Sequence, residues 1–206
     1  MKKFILTAFF LGIIYIPISC NSDGCNESVQ RYNISNLSTD FGVFVISSEI
    51  EESFEFRNST IYDSAVFLVS IETAKQVSEA QNNISFFSSA LAEDCPYFFA
   101  LNHELQSVAI TSTSDIAVNN RTYEAGAFLN ELFIASSSAD RSVKQSIDNL
   151  VKVIIQNPDY FAIEGSAIIF EFSEQPDRVV DGTFTFTFIF DDRTLTTESE
   201  IVTIFP

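Results

Sequence analysis

The side chains that could carry chemistry in this chain are few: three cysteines and one histidine among 206 residues. Cys20 and Cys25 stand close together after an apolar run, and Cys95 lies near the middle of the chain. Zinc sites draw on paired cysteines at C-x-x-C spacing or on several histidines, and neither is present. His103 has no G-x-S-x-G nucleophile motif to serve, so it is expected to be a surface or loop-edge histidine. No catalytic residue, metal or cofactor is therefore predicted.

The first cysteine ends a segment typical of an export signal. Two lysines precede an apolar run at residues 4–18, which as a helix would span roughly 22 Å, short of the ~30 Å hydrocarbon core of a bilayer. The closing Ser19-Cys20 pair resembles the lipobox of bacterial lipoproteins, in which the thiol is acylated after cleavage. This resemblance implies a lipoprotein signal peptide at 1–19 and lipidation of Cys20 in a tether at 20–27. An ordinary signal peptide that ends at a chance cysteine is the alternative.

The charge of the chain is strongly acidic, with 28 acidic against 11 basic side chains. Removal of residues 1–19 would take away two lysines and no acid, which leaves 9 basic side chains and a net charge of −19. Such a charge repels phosphates and anionic headgroups, so no nucleic acid partner is predicted. The membrane is expected to be a partner through the lipid on Cys20. The predicted location is the cell envelope, anchored to the outer membrane on its periplasmic or surface side.

Acidic clusters are the remaining candidates for binding or catalysis. Residues 49–52, 93–94 and 191–192 could attract calcium, but none has the spacing of an EF-hand loop, so solvated loop charges are expected. Paired carboxylates that cleave a glycosidic bond need only meet in space, which keeps a hydrolase open. The chain has no Trp on which a sugar could stack, although Tyr and Phe can take that role.

Composition and pattern favour β structure. The chain has 22 Phe and 6 Tyr, residues that fit a pleated, half-buried surface. The strongest signal is "GTFTFTFIF" (182–190), which predicts a buried Phe face and a solvated Thr face, followed by a turn at 191–193 and a return strand at 194–205. The segment 116–126 is predicted to be an irregular connection. Further strands are predicted at 28–37, 41–47, 53–57, 60–72, 84–92, 104–115 and 159–172.

One segment, 139–158, has helical periodicity. Asp140 is a suitable N-cap, Asn157-Pro158 supplies a stop, and the apolar stripe is expected to lie on a sheet. The stripe consists of Val143, Ile147, Leu150, Val151 and Ile154. The elements together predict a mainly β chain: a single antiparallel, immunoglobulin-like β-sandwich over 28–206 with one amphipathic helix at about 140–156.

The chain after the signal resembles an uncharacterised lipoprotein family of Bacteroidota, a domain of unknown function. The resemblance rests on Cys25, on Cys95-Pro96, on "SVAITSTSDIAVNNRTYEAGAFLNELF" (107–133) and on the closing hairpin. It implies an envelope lipoprotein and carries no established catalytic residues. In addition, "DSA" (63–65) matches the motif that envelope proteins of this phylum carry at O-glycosylated residues. Ser64 is therefore a candidate O-glycosylation site, although a strand interior would bury it.

Two functions stay open at this point. The absence of a catalytic constellation favours a lipid-anchored binding or interaction module rather than an enzyme, because a sandwich presents loops and edges to partners. An envelope protein or a glycan is the expected partner. The alternative is a glycan-directed hydrolase that uses paired carboxylates.

The two cysteines that lipidation would leave, Cys25 and Cys95, are predicted to form a disulfide. An even number of thiols in an oxidising compartment favours pairing. The bridge would close a loop of roughly 70 residues and stabilise the fold by roughly 4 kcal/mol in the chain-entropy model. Two free thiols are the alternative.

Thiol titration of the denatured protein tests this disulfide. The non-reduced mature chain is expected to show no free thiol from Cys25 or Cys95, and the reduced chain is expected to show two. If both thiols are already free before reduction, the bridge is wrong.

Overall fold

Strands make up most of the part of the chain that this computed structural model describes, namely residues 29–48, 51–75, 98–137, 141–156 and 167–206. All of these except Val29 and Phe98 belong to one compact unit, Gln30–Asn82 with Phe99–Pro206. The strands of the described residues are β1 (Val29–Ser48), β2 (Glu51–Phe56), β3 (Ser59–Ile61), β4 (Val66–Lys75), β5 (Phe98–Leu101), β6 (Leu105–Ser112), β7 (Ile116–Val118), β8 (Arg121–Tyr123), β9 (Phe133–Ser137), β10 (Gln145–Ser146), β11 (Ala167–Phe172), β12 (Val180–Gly182), β13 (Phe184–Phe190), β14 (Thr194–Glu198) and β15 (Val202–Phe205).

These strands pair into three sheets and a separate hairpin. The largest sheet has the order β10-β9-β11-β4-β1-β2, and β5 also pairs with β1. A second sheet has the order β14-β13-β6, and a third has the order β12-β15-β3. Pairing is antiparallel within the second sheet and in the β7–β8 hairpin, whereas β15 runs parallel to β3.

Phenylalanine rings from the first and second sheets meet in the core. Phe184, Phe186 and Phe188 of β13 are completely buried. Phe67 of β4 lies with its ring centroid 4.8 Å from that of Phe184 and 5.4 Å from that of Phe186. Phe170 of β11 lies 5.0 Å from Phe186. Two largely antiparallel sheets thus pack face to face, and the prediction of a mainly β sandwich with one helix is confirmed.

The helix α1 (Ile147–Gln156) begins later than predicted. Asp140, the predicted N-cap, lies outside the described residues, and residues 145–146 pair with β9 as a short strand before the helix starts. Val143 therefore lies outside the helix and is 58% exposed. The rest of the predicted stripe is buried, and the helix packs on β6 and β9. These buried residues are Ile147, Leu150, Val151 and Ile154.

Several predicted strand boundaries are wrong. The strands predicted at 28–37 and 41–47 form one continuous strand, β1. The strand predicted at 60–72 is broken by a 3-10 turn at Tyr62–Ser64. The strand predicted at 159–172 is described only from Ala167 onward, and the one predicted at 84–92 lies outside the described residues.

The closing hairpin is confirmed in its first half and corrected in its second. Its Phe face is buried and its turn falls at 191–193, but the Thr face is half-buried rather than solvated. The return strand divides into β14 and β15 at Ser199. The buried Ser199 exchanges hydrogen bonds with Phe184: its N–H donates to the Phe184 carbonyl (2.9 Å) and its Oγ accepts from the Phe184 N–H (3.0 Å). After Ser199 the chain continues into β15, which belongs to the third sheet.

The segment predicted to be irregular forms the β7–β8 hairpin instead. Its turn residues Asn119 and Asn120 have φ angles of 50° and 62°, the left-handed region that Asn tolerates better than most residues. The Asp177 carboxylate accepts the backbone N–H of both, at 3.1 and 2.9 Å. The Asn-Asn pair was a turn signal that the sequence interpretation missed.

The free edge of β6 is covered by an asparagine side chain. The Asn130 Oδ1 accepts the Ile110 N–H at 2.9 Å, and its Nδ2 donates to the Val108 carbonyl at 2.7 Å. The neighbouring Leu129 N–H donates to the Ile110 carbonyl at 2.9 Å. Asn130 thus takes the place of one residue of a neighbouring strand, which protects an otherwise unpaired sheet edge.

Replacement of Asn130 by alanine is expected to lower the free energy of unfolding by about 2–3 kcal/mol, because it leaves two partly buried backbone groups without partners. Urea unfolding of Asn130→Ala measures this loss. Asn149→Ala, on the exposed face of α1, is the matched control and is expected to change stability by less than about 0.5 kcal/mol. Equal stability of the two variants would contradict the edge role of Asn130.

Candidate functional site

The one histidine lies in a cluster built from three separate parts of the chain. His103 is in the loop between β5 and β6, Asp192 and Arg193 are in the turn between β13 and β14, and Asn33 is on β1. We call these residues, with Asp191, the His103 cluster. The His103 side chain is only 10% exposed, so of the two predicted alternatives, a surface or a loop-edge histidine, the structure supports the loop-edge one.

Both ring nitrogens of His103 have protein partners. The Nδ1 atom lies 2.9 Å from the Asp192 carboxylate. The Nε2 atom faces the Nη2 of Arg193 and lies 3.2 Å from the Asn33 Oδ1. A guanidinium has only donors, whereas the Asp192 carboxylate and the Asn33 Oδ1 are acceptors, so each ring nitrogen lies against polar groups of the protein whichever nitrogen carries the proton. Neither nitrogen is therefore open to a substrate.

The hairpin turn is fastened to its surroundings by backbone contacts. Asp191 exchanges hydrogen bonds with Glu104: the Glu104 N–H donates to the Asp191 carboxylate at 3.1 Å, and the Asp191 N–H donates to the Glu104 carbonyl at 3.0 Å. The Arg193 Nη1 donates to the Ile34 carbonyl of β1 at 3.2 Å. The cluster therefore joins the β13–β14 turn to the β5–β6 loop and to β1.

The acidic pair predicted as a candidate calcium site belongs to this cluster. One ligand atom from each of His103, Asp191 and Asp192 lies within 4.8 Å of the others, close enough to share a cation. However, the Arg193 guanidinium already lies beside His103 and 3.5 Å from the Asp192 carboxylate. The positive charge of Arg193 therefore lies close to these ligand atoms and would repel a metal ion. Glu49, Glu93 and Asp94 lie outside the described residues.

An open groove runs beside this cluster, between α1 and β6. It consists of two hollows of about 460 and 300 Å³ that share Ile155. The larger hollow is lined by His103, Glu104 and Asp191 on its polar side, and the smaller one by Asp148 and Lys152. Leu105, Val108, Val151 and Ile154 contribute apolar lining.

A second cavity lies where residues from three segments of the chain meet. It has a volume of about 210 Å³, and the exposed ring of Phe56 lies at its border. The sequence interpretation did not anticipate this cavity, which we call the Phe56 pocket. Its lining residues are Thr39, Asp40, Phe41, Phe56, Arg57, Asn58, Glu200 and Val202.

Of the modification sites predicted from the sequence, only Ser64 is described. It lies in the exposed 3-10 turn between β3 and β4, and its Oγ donates to the Asp63 carboxylate at 3.0 Å. The expected burial in a strand interior is therefore wrong, and the site is accessible. Cys20, Cys25 and Cys95 lie outside the described residues, so the lipid and the disulfide stay predictions.

Comparisons with known proteins give a distant structural likeness. No protein-family model matches the chain, and no curated protein matches it. The C-terminal domain of the Streptococcus pyogenes antigen I/II-family protein AspA is similar at 12% identity and a TM-score of 0.26, over 83% of this chain and 46% of that one. At these values nothing about function is transferred. Within the described ranges, no helix has the length and apolar character needed to cross a bilayer.

Tyr123, at the end of β8, lies in a separate cluster of polar side chains. Arg121 lies over the Tyr123 ring at 4.5 Å and forms an ion pair with Glu131 at 2.8 Å. Burial raises the pKa of Tyr123, and its hydrogen bond to Glu131 raises it further, whereas the Arg121 charge acts in the opposite direction. The folded state therefore holds the phenolic proton more tightly than the unfolded state does.

This pKa shift predicts a loss of stability at alkaline pH. The unfolded chain loses the Tyr123 proton near the ordinary tyrosine pKa of about 10, while the folded chain keeps it. The contribution of Tyr123 is complete below that pH and is lost as the pH rises through the higher folded pKa. Urea unfolding at pH 9 and at pH 11 is expected to show a smaller alkaline loss in Tyr123→Phe than in the wild type. An identical loss in both proteins would contradict the assignment.

Proposed function

We propose that this chain is a lipid-anchored binding module of the cell envelope, tethered through Cys20. The observation that supports binding rather than catalysis most directly is the His103 cluster. Its histidine has a carboxylate at one ring nitrogen and an arginine at the other, so it has no free lone pair with which to act as a base. The cluster instead holds loops together.

The arrangement of the cavities supports the same proposal. Loop and strand-end residues contribute to both cavities, His103 and Glu104 to the α1–β6 groove and residues 56–58 to the Phe56 pocket, and β-sandwich proteins commonly present binding residues at such places. The acidic lining of both cavities suits a ligand that offers hydroxyl or amide donors. The lipid on Cys20 would hold the folded domain near the membrane, while its net negative charge would keep it from lying against an anionic membrane surface.

The glycan-directed hydrolase is the alternative function. Asp191 and Asp192 are two described carboxylates that lie close together beside a groove. However, Asp192 is paired with His103 and Arg193, and Asp191 accepts a backbone N–H. Both carboxylates thus already have partners within the protein, which disfavours their use as a carboxylate pair that faces a substrate. Release of reducing ends from neutral oligosaccharides would nevertheless favour the hydrolase.

Fractionation of a Gram-negative host that expresses the full chain tests the tether. Wild-type protein is expected in the detergent phase after phase separation, because acyl chains contribute about 0.8 kcal/mol per buried methylene. Cys20→Ser is expected in the aqueous phase or unprocessed. Cys25→Ser, five positions away, is the matched control and should stay in the detergent phase. A free amine on residue 21 or an unmodified Cys20 thiol in mass spectrometry would contradict the proposal.

A further inference from the structure

We infer that the Phe56 pocket binds a single ring of a neutral glycan, with Phe56 as the stacking surface. This inference rests on the proposed binding function and names its ligand class. The pocket differs from the α1–β6 groove in having a strongly exposed aromatic ring at a polar opening.

The aromatic ring is exposed but held in place. The Phe56 side chain is 72% exposed at the end of β2. Its ring packs edge-on against Phe54, with centroids 5.3 Å apart and planes at 87°, and Phe54 packs in turn against Phe44 at 5.3 Å. An exposed phenylalanine in a fixed orientation loses little conformational entropy when a ligand stacks on it.

A glycine allows β2 to approach closely enough to place this ring. Gly42 of β1 lies opposite Phe56 in the strand pairing. A Cβ at this position would come within 2.9 Å of the Phe54 ring and would collide with the Glu55 carbonyl. Residues 56–58 therefore border β1 directly, and Phe41 and Val202 form a buried apolar floor beneath the opening.

The polar side chains of the pocket offer both donors and acceptors. The carboxylates of Asp40 and Glu200 have no hydrogen-bond or ion-pair partner among the described residues, so their oxygens are available as acceptors. Asn58 adds an amide, which can donate and accept. Arg57 uses one Nη2 contact, at 2.9 Å, to pair with Glu55 and keeps further N–H donors.

This mixture matches a polyhydroxyl ligand better than an ion. Each sugar hydroxyl is both a donor and an acceptor, so it can satisfy a carboxylate on one side and a guanidinium on the other. An anion would be repelled by Asp40, by Glu200 and by the net charge of −17, and a cation would leave the donors of Arg57 and Asn58 without acceptors. A fatty chain would leave the polar rim unsatisfied.

The size of the pocket limits the ligand to one ring. Its volume of about 210 Å³ is below the ~300–1,000 Å³ of pockets that enclose drug-sized molecules. A terminal or protruding sugar of a longer glycan would enter the pocket, and the rest of the glycan would stay in solvent. Stacking of C–H bonds on Phe56 would orient the ring, while the carboxylates would select its hydroxyl pattern.

Saturation-transfer NMR on the full lipidated chain in detergent tests the inference. The probes are maltohexaose, mannohexaose, galactohexaose and chitohexaose, and pentalysine represents a cationic ligand. At least one oligosaccharide is expected to bind, and Phe56→Ala should weaken that binding about tenfold. Asp40→Asn and Glu200→Gln should weaken it as well. The matched control is Phe128→Ala, because Phe128 is 73% exposed and lines neither this pocket nor the α1–β6 groove.

Three results would overturn the inference: no signal from any oligosaccharide, binding of pentalysine in place of sugars, or equal loss in Phe56→Ala and Phe128→Ala. Asp40→Asn keeps the test decisive if Phe56→Ala has a lower melting temperature. Failure here would leave detergent partitioning through Cys20 unchanged, so it is distinguishable from failure of the proposed function.

Discussion

The packing of Phe67 is the interaction on which the rest of the structure depends. Its ring contacts four others, two in its own sheet and two across the interface with the second sheet. These partners are Phe41 at 4.8 Å, Phe133 at 6.0 Å, Phe184 at 4.8 Å and Phe186 at 5.4 Å. Phe67 contacts β1, β9 and β13 at one point and so sets the distance between β1 and β13. The Phe56 pocket borders β1, and the His103 cluster joins β1 to the turn after β13.

Much of the fold could be predicted from the sequence, because alternation of side chains follows directly from the strand geometry. The Phe residues of β13 alternate strictly, and their burial follows. Breaks within long apolar segments could not be predicted in this way. The division at Ser199 and the 3-10 turn at Tyr62–Ser64 contain neither Gly nor Pro, and at Ser199 the hydrogen bonds to Phe184 decide where the chain bends. The start of α1 was misplaced for the same reason, since pairing of Gln145 and Ser146 with β9 overrides local helical periodicity.

The sites were less predictable than the fold, because they are made by pairing rather than by motif. His103 and Asp192 are far apart in sequence and meet only because β6 pairs with β13. Positions 54 and 56 are both phenylalanines on the same face of β2, yet the Phe56 side chain is strongly exposed and the Phe54 side chain is not. The difference arises because β2 is the last strand of its sheet and Phe56 is its last residue. Neither condition is visible in the local sequence.

The parallel pairing of β15 with β3 has a consequence for the order of folding. Thr203 pairs with Ser59, so the two strands meet only after a segment of roughly 140 residues has been brought to closure. The entropy of such a closure costs about 4 kcal/mol for a flexible chain, far more than three paired residues return. The third sheet therefore forms on a sandwich that is already in place, as a late step rather than a nucleus. During synthesis, β3 therefore has no β15 to pair with until residues near position 203 have emerged from the ribosome.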